Sequence, residues 1–235
     1  MVRTPPENCV LCHSRAGAAR CGFGLRAGGR IGPHVASHVF RRGEYLFVAG
    51  TPSHSVFVLR AGCVKVFRTT LDGGEQVLRL LGPGAMLGYR PVLANEPYAA
   101  SAQVVDNATL CILPAAIVRE AVRDVPELAA DLLARMAVEL RLSEELMMDL
   151  VHSPVRQRAA RLLLSLLVKE PHSLPPLRLR PRHMRRQDMA RMIGTTPETF
   201  SRVLRGFAQT GLIDLTRAHL DIRDEDRLRR VAGPV

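Results

Sequence analysis

Residues 187–207, which read QDMARMIGTTPETFSRVLRGF, are predicted to form two short helices joined by a tight turn. The second helix has two distinct faces. The apolar face is formed at helical spacing by Phe200, Val203, Leu204 and Phe207. The polar face carries, at i, i+3, i+4 and i+7, Glu198, Ser201, Arg202 and Arg205. A helix that buries one side and presents a few polar side chains on the other is suited to reading bases in the major groove of DNA.

The turn and the start of the second helix contain the residue types that this geometry requires. Gly194 can adopt the positive φ of the turn. Thr196 is a suitable N-cap, and Pro197 follows at the first helical position, where a missing N–H costs nothing. Ala190 is small where the two helices must cross closely. The alternative is a plain helical hairpin with a solvated polar face.

The polar side chains of the second helix match the hydrogen-bonding groups of DNA. Glu198 can accept from cytosine N4, Arg202 can bind guanine O6 and N7, and Ser201 can donate to a base or a phosphate. The predicted DNA-contacting set is Thr196, Glu198, Thr199, Ser201, Arg202 and Arg205.

Positive charge is concentrated in the same part of the chain. The formal net charge is +11, but residues 1–151 hold 16 Lys/Arg against 14 Asp/Glu, whereas residues 152–235 hold 17 against 8. A localised positive field favours a polyanion and makes its binding salt-dependent. If the positive charge only reflected an Arg-rich proteome, the excess of Lys and Arg would be spread over the whole chain rather than confined to one half.

Residues 35–113 consist of short β-forming runs separated by glycine. Alternating apolar residues lie on either side of Ala61-Gly62 and predict a hairpin there; they are Val56, Val58, Val64 and Val66. Asp72-Gly73-Gly74 predicts a further turn. Many short strands at regular spacing predict a small antiparallel barrel or roll.

A long helical run follows Pro126, from Glu127 to His152. Its a/d positions form a seam over three heptads, made of Ala129, Leu133, Met136, Leu140, Ser143, Met147 and Leu150. The seam predicts a two-fold coiled coil with a second copy of the chain. Three neighbouring side chains are then expected to face the roll, namely Leu132, Leu142 and Leu146. The alternative is an ordinary amphipathic helix packed on its own domain.

The rest of the chain completes an α+β architecture. Ser153-Pro154 ends the long helix, and a second amphipathic helix is predicted over residues 155–169. A Pro-rich connection, residues 171–181, leads to the two helices described first. Residues 212–222 then predict a β-hairpin wing. Residues 1–24 predict an arm with little apolar periodicity.

This order of elements resembles the CRP/FNR family of bacterial transcription regulators, over nearly the whole chain. The most similar segments are GEYLFVAGTP at 43–52, LRAGCVKVF at 59–67 and ETFSRVLRGF at 198–207. The resemblance implies an N-terminal cyclic-nucleotide-binding-like β-roll, a long dimerisation helix and a C-terminal winged helix-turn-helix. The implied domains are a cysteine-containing arm (1–24), the roll (25–120), the dimerisation helix (121–152) and the DNA-binding domain (153–235).

The resemblance also implies partners. Family members are homodimers that bind a two-fold DNA site and touch RNA polymerase. The E-x-x-S-R form of the second helix resembles the FNR branch, which implies base contacts from Glu198, Ser201 and Arg202 to a TTGA-type half-site. Paired half-sites are expected about one helical turn apart.

Cyclic AMP is not the expected signal. Family members that bind it carry a Glu for the ribose and an Arg-Ser-Ala tract for the phosphate. Here Tyr89 stands where the Glu would fall, and Ala100 where the Arg would fall. A phosphate pocket without its Arg lacks the bidentate partner that compensates most of the charge. Arg90 lies nearby and either replaces the missing Arg as a phosphate partner or is a solvated side chain.

The cysteines suggest a different signal. Cys9, Cys12 and Cys21 give C-x2-C-x8-C, and Cys111 lies where iron–sulfur members of the FNR branch carry their fourth ligand. The resemblance therefore implies a [4Fe–4S] cluster on these four thiolates and a response to redox state, oxygen or nitric oxide. The spacing differs in one respect, because the FNR pattern has a shorter gap before its third cysteine. Cys63 lies among valines and is expected to be a small buried hydrophobe.

Other chemistries stay open for the sensor. His13 follows Cys12, so zinc with Cys/His ligands is one alternative, and reversible thiol oxidation is another. The remaining alternatives are a haem group, a small-molecule effector other than cAMP, or no cofactor at all. Three histidines are more typical of turns or surfaces than of haem ligands, namely His34, His38 and His54.

Two classes of protein are not expected. The sequence has no apolar window of membrane-spanning length and no signal-peptide pattern at its start, so we expect a cytoplasmic protein. It also has no Ser/His/Asp set, paired carboxylates, P-loop or H-E-x-x-H motif, so we do not expect an enzyme.

Overall fold

The computed structural model describes residues 31–71, 73–166, 185–216 and 220–233. The chain divides into two compact units, Met1–Gly73 with Leu78–Ala137, and Gly74–Val77 with Val138–Val235. The predicted arm, the Pro-rich connection and the tip of the wing lie outside the described residues.

A six-stranded antiparallel sheet forms the predicted β-roll. Its strands are β1 (Ala36–Phe40), β2 (Tyr45–Phe47), β3 (Ser55–Thr69), β4 (Glu75–Leu81), β5 (Met86–Leu87) and β6 (Ser101–Pro114). The order is β1-β6-β3-β4, with β2 also paired to β6 and β5 to β3. Two short helices accompany the sheet, α1 (Tyr89–Ala94) and α2 (Ala115–Asp124).

The hairpin predicted at Ala61-Gly62 is wrong. β3 continues through these residues and pairs with β6 from Ser55 to Phe67. The register shifts around Ala61 and Cys63, and Gly62 adopts a φ of 90° there. A β-bulge therefore bends the strand where a turn was expected to reverse it. The turn predicted at residues 72–74 is confirmed at Gly73, whose N–H donates to the Thr70 carbonyl at 2.9 Å.

The roll has two apolar clusters. One contains Phe57, Leu59, Val64, Leu87, Tyr98, Ala102, Val104, Ala108 and Leu110. The other joins the sheet to the helices and includes Ile31, Val35, Val56, Tyr89, Val92, Leu113, Val118, Leu128 and Leu132. In the first cluster the Phe47 and Tyr98 rings stack with centroids 4.0 Å apart. The Tyr98 hydroxyl donates to the Ser55 carbonyl at 2.7 Å, so this aromatic core is fixed to β3.

The long helix α3 runs from Pro126 to His152, as predicted. Leu128 and Leu132 are buried against the roll. Met136, which was predicted to lie in the dimer seam, packs against the same cluster of the roll. The expectation that Leu142 and Leu146 also face the roll is wrong, because they are 52% and 44% exposed. The first unit ends at Ala137, so these two leucines lie beyond the part of α3 that packs on the roll.

The second unit contains the predicted winged helix-turn-helix. Its helices are α4 (Val155–Leu166), α5 (Arg186–Met192), α6 (Pro197–Gln209) and α7 (Glu225–Ala232), and its hairpin is β7 (Ile213–Leu215) with β8 (Leu220–Ile222). Helix α7 was not predicted from the sequence; it has Asp224 as its N-cap and buries Leu228 and Ala232. None of the described helices is both long enough and apolar enough to cross a membrane.

Candidate DNA interface

Helix α6 is held in the second unit by its apolar face. Phe200, Leu204 and Phe207 are almost completely buried, and Val203 is half-buried. Arg156 of α4 lies over the Phe207 ring, with its guanidinium carbon 5.5 Å from the centroid. Packing of this kind leaves the helix little freedom to rotate about its axis. The opposite face is therefore presented in one orientation.

The start of α6 has the predicted capping geometry. The Thr196 hydroxyl accepts from the Thr199 backbone N–H at 3.3 Å, and Pro197 occupies the first turn. Gly194 adopts a φ of 62° in the preceding turn, as predicted. Ala190 of α5 is fully buried at the helix crossing. The first turn therefore presents Glu198 next to the N-terminus, where the helix dipole favours negative charge.

The six predicted DNA-contacting residues share one helix terminus and one face. Thr196, Glu198, Arg202 and Arg205 are exposed, and Thr199 and Ser201 are half-buried. Within the described parts of the chain, neither the Glu198 nor the Arg202 side chain has a hydrogen-bond or ion-pair partner. Both are therefore available to an external ligand. The Arg205 side chain instead contacts its own helix, because its Nε donates to the Ser201 carbonyl at 3.5 Å.

Other arginines support α6 and the wing from neighbouring elements. Arg227 of α7 donates to the Thr210 carbonyl at 3.3 Å, beside the C-terminus of α6. Arg186 of α5 reaches the Thr216 carbonyl at 3.4 Å, and Arg223 forms a 2.9 Å ion pair with Asp214 across the wing. The sequence showed the positive charge of this half but not these individual contacts, because they depend on how the elements pack.

The predicted metal ligands are only partly visible. Cys9, Cys12 and Cys21 lie outside the described residues. Cys111 lies on β6, opposite Val58 of β3 and Ser37 of β1, and is half-buried. In the described ranges no three His, Cys, Asp or Glu side chains form a potential metal site.

Cys63 is a small buried hydrophobic residue, as the sequence predicted. It is almost fully buried, and burial, reinforced by the Asp106 carboxylate, raises the pKa of its thiol to about 12. Among the described residues Cys63 belongs to no group of potential metal ligands, in keeping with a buried apolar role.

Tyr89 and Ala100, which stand where cyclic AMP-binding relatives carry Glu and Arg, lie at either end of the segment that contains α1. Tyr89 is buried in the cluster that joins the sheet to the helices. Ala100 is half-buried and directly precedes β6. Neither side chain supplies a charge for a phosphate or a carboxylate for a ribose.

Comparisons with known proteins cover both units. The family model of the cyclic nucleotide-binding domain matches residues 37–124, and that of the Crp-like helix-turn-helix domain matches residues 157–231. The transcriptional activator protein anr of Pseudomonas aeruginosa is 31% identical over 82% of this chain and 79% of that protein. The cyclic AMP receptor protein of Thermus thermophilus is 32% identical over 83% of this chain and 87% of that protein.

A solved structure has the same fold. FixK2 from Bradyrhizobium japonicum aligns with a TM-score of 0.72 over 86% of this chain and 98% of that one. Its sequence identity is 22%, so the likeness concerns the fold alone. The predicted α+β architecture, with a cyclic-nucleotide-binding-like roll followed by a helix-turn-helix, is confirmed.

Proposed function

The chain belongs to the CRP/FNR family of transcription regulators, and we propose that it acts as a cytoplasmic homodimer that reads a two-fold DNA site through α6. Family members regulate transcription, so the expectation that the chain is not an enzyme is confirmed. The observation that carries the proposal is the two-faced α6, with Phe200 and Leu204 buried and Glu198 and Arg202 exposed without partners among the described residues.

The proposed half-site is of the TTGA type, as the E-x-x-S-R pattern implies. Arg202 would donate two hydrogen bonds to the guanine of this half-site, and Glu198 would accept from N4 of the cytosine paired with that guanine. Ser201 lies between them on the same face and would contact a base or a phosphate. RNA polymerase is the further partner that we expect from the family.

Homodimerisation is supported by α3. Leu133, Leu140 and Met147, spaced seven residues apart, are 66%, 61% and 66% exposed in the single chain. Three large apolar side chains in line on one helix cost free energy in water and match a coiled-coil seam. The Arg141–Glu145 ion pair lies on a different side of the helix, where solvent is expected. A second copy of α3 would cover the apolar line.

Arg202→Ala tests the base contact. We expect it to weaken binding to the cognate duplex by about 1–3 kcal/mol and to relax the preference at one base pair of each half-site. The measurement is fluorescence anisotropy with duplexes that vary each base in turn. Arg229→Ala is the matched control, because it removes an equal charge from an exposed position on α7. An equal loss on cognate and random DNA would show that Arg202 contacts only the backbone.

For the sensor we propose a [4Fe–4S] cluster held by Cys9, Cys12, Cys21 and Cys111. The half-buried Cys111 supports this choice, because its thiol is not sealed in the core as that of Cys63 is. Such a group would supply sensitivity to oxygen or nitric oxide. Cyclic AMP remains an unexpected ligand, because Tyr89 and Ala100 offer no partner for its ribose or phosphate.

Anaerobic purification tests the cofactor. We expect a coloured protein with iron and sulfide, and we expect Cys111→Ser to lose both while Cys63→Ser keeps them. The measurement is an absorption spectrum combined with iron, sulfide and zinc analysis. Zinc without sulfide would support the Cys/His alternative. A colourless, metal-free protein whose DNA binding ignores oxygen would contradict the cluster and favour an effector-binding regulator.

A further inference from the structure

The junction between α3 and α4 is a single break in an otherwise helical segment. α3 ends at His152 and α4 begins at Val155, with Pro154 between them. Proline has no N–H and cannot continue the helical ladder. The N–H groups of Gln157 and Arg158 bond to the Pro154 carbonyl, which starts α4 but does not fix its direction relative to α3. Contacts across the break are therefore needed to fix that angle.

One set of side chains closes across the break. Arg161 of α4 forms an ion pair with Asp149 of α3, and the same guanidinium nitrogen donates to the Ser153 hydroxyl at 3.0 Å. The Ser153 hydroxyl also lies 3.1 Å from Asp149 Oδ1, as a donor to it. The three side chains therefore form a closed triangle that links α3, α4 and Ser153 in the junction between them.

Burial distinguishes this triangle from ordinary surface pairs. The Arg161 and Asp149 side chains are 18% and 27% exposed, whereas Arg229 and Glu225 in the α7 pair are 60% and 27% exposed, so the difference lies in the arginine. A partly buried pair is less screened by salt, and each partner loses more when the other is removed. We expect the triangle to resist rotation at the junction more strongly than a solvated pair could.

A second arginine, Arg158, lies where the helix-turn-helix contacts the end of α3. Arg158 donates from Nη1 to the Leu150 carbonyl at 2.9 Å, which satisfies one of the last carbonyls of α3. A Cβ on Gly194 would lie 3.0 Å from Leu150 Cδ2 and 3.7 Å from Arg158 Nη1. The turn between α5 and α6 thus packs directly on the end of α3 beside this arginine.

We propose that Arg161, with Asp149 and Ser153, is a positioning residue that sets the direction of α6 relative to the C-terminal half of α3. This inference rests on the proposed function. Leu140 and Met147 of that half belong to the proposed dimer seam, so in a dimer the junction angle sets the distance between the two copies of α6. One base-pair step is about 3.4 Å along DNA, so a small rotation at the junction changes the half-site spacing that fits.

The test compares duplexes that carry two inverted TTGA-type half-sites separated by spacers from two base pairs shorter to two base pairs longer than the best one. We expect the wild-type protein to prefer one spacing by about tenfold or more, and Arg161→Gln to reduce that preference to about threefold or less. Arg229→Gln, which breaks the exposed pair on α7, is expected to keep the wild-type profile. Thermal unfolding is recorded for every variant.

Two further variants decide the result if Arg161→Gln unfolds. Arg161→Lys keeps the charge, and the exchange Asp149→Arg with Arg161→Asp keeps an opposite pair across the junction. Recovery of the spacing profile by the folded exchange variant would support the proposal. An unchanged profile in folded Arg161→Gln, or a flat profile in both folded rescue variants, would overturn it. A wild-type protein with no preference for paired half-sites would instead contradict the proposed function itself.

Discussion

Leu140→Glu is expected to convert the protein into a monomer and to weaken its binding to a duplex with two half-sites by about a hundredfold or more. Leu140 is 61% exposed and lies between Leu133 and Met147 in the apolar line of α3. A two-fold axis along this line would bring two new carboxylates together in an apolar interface, where unpaired charges are costly. Loss of the dimer removes the gain from binding both half-sites at once.

Leu142→Glu is the matched control for this substitution. Leu142 is also exposed, at 52%, but two residues further along a helix it points to nearly the opposite side. It should leave both the mass and the DNA affinity close to wild type. Light scattering with size-exclusion chromatography gives the mass, and anisotropy gives the affinity. Equal effects of the two substitutions, or a dimeric Leu140→Glu, would show that α3 does not form the interface through this line.

Gly62→Ala is expected to destabilise the β-roll by at least about 3 kcal/mol. Gly62 has a φ of 90°, and a Cβ there would lie 2.3 Å from the Asn107 carbonyl oxygen and 2.5 Å from Ala108 Cα. Both are backbone atoms of β6, so no side-chain rotation can relieve the overlap. The two longest strands would have to separate at the bulge.

Gly43→Ala provides the comparison that isolates this overlap. Gly43 has a nearly identical φ of 92°, but its Cβ would meet nothing within 4 Å. It should cost only the conformational strain, about 1–2 kcal/mol. All three tyrosines of the chain lie in the roll, so tyrosine fluorescence during urea unfolding reports on this unit. If the two variants are equally stable, the close approach of β3 and β6 is not an energetic constraint.

The helix-turn-helix could be predicted from the sequence because its signals are local. Thr196, Pro197 and Gly194 act within one turn of their own positions, and the apolar spacing of Phe200 and Leu204 identifies the buried face directly. The structure confirmed each of these features. Short-range capping and helical periodicity are the strongest information that a single sequence carries.

The bend in β3 could not be predicted in the same way. Ala61-Gly62 has the residue types of a turn, and a glycine with positive φ serves a turn and a bulge equally well. What distinguishes them is β6, whose Asp106 to Thr109 region pairs with the bulged strand although it lies more than 40 residues later in the chain. Local residue types cannot specify a pairing partner at that distance.

The arginine contacts at the α3–α4 junction were also beyond sequence analysis. Asp149 and Arg161 are twelve residues apart on two helices, and only the break at Pro154 brings them together. The same limit applied to Leu142 and Leu146, whose expected contact with the roll depended on where the roll ends along α3. Helical spacing predicts which side chains share a face, but not what the face meets.

The most direct test of the central claim is selection of binding sites from a random duplex library with the purified full-length chain. We expect enrichment of an inverted repeat of TTGA-type half-sites, with centres about one helical turn apart. We also expect Arg202→Ala to lose the preference at one base pair of each half-site. Enrichment of single, unpaired sites, or no enrichment over random DNA, would contradict a dimer that reads DNA through α6.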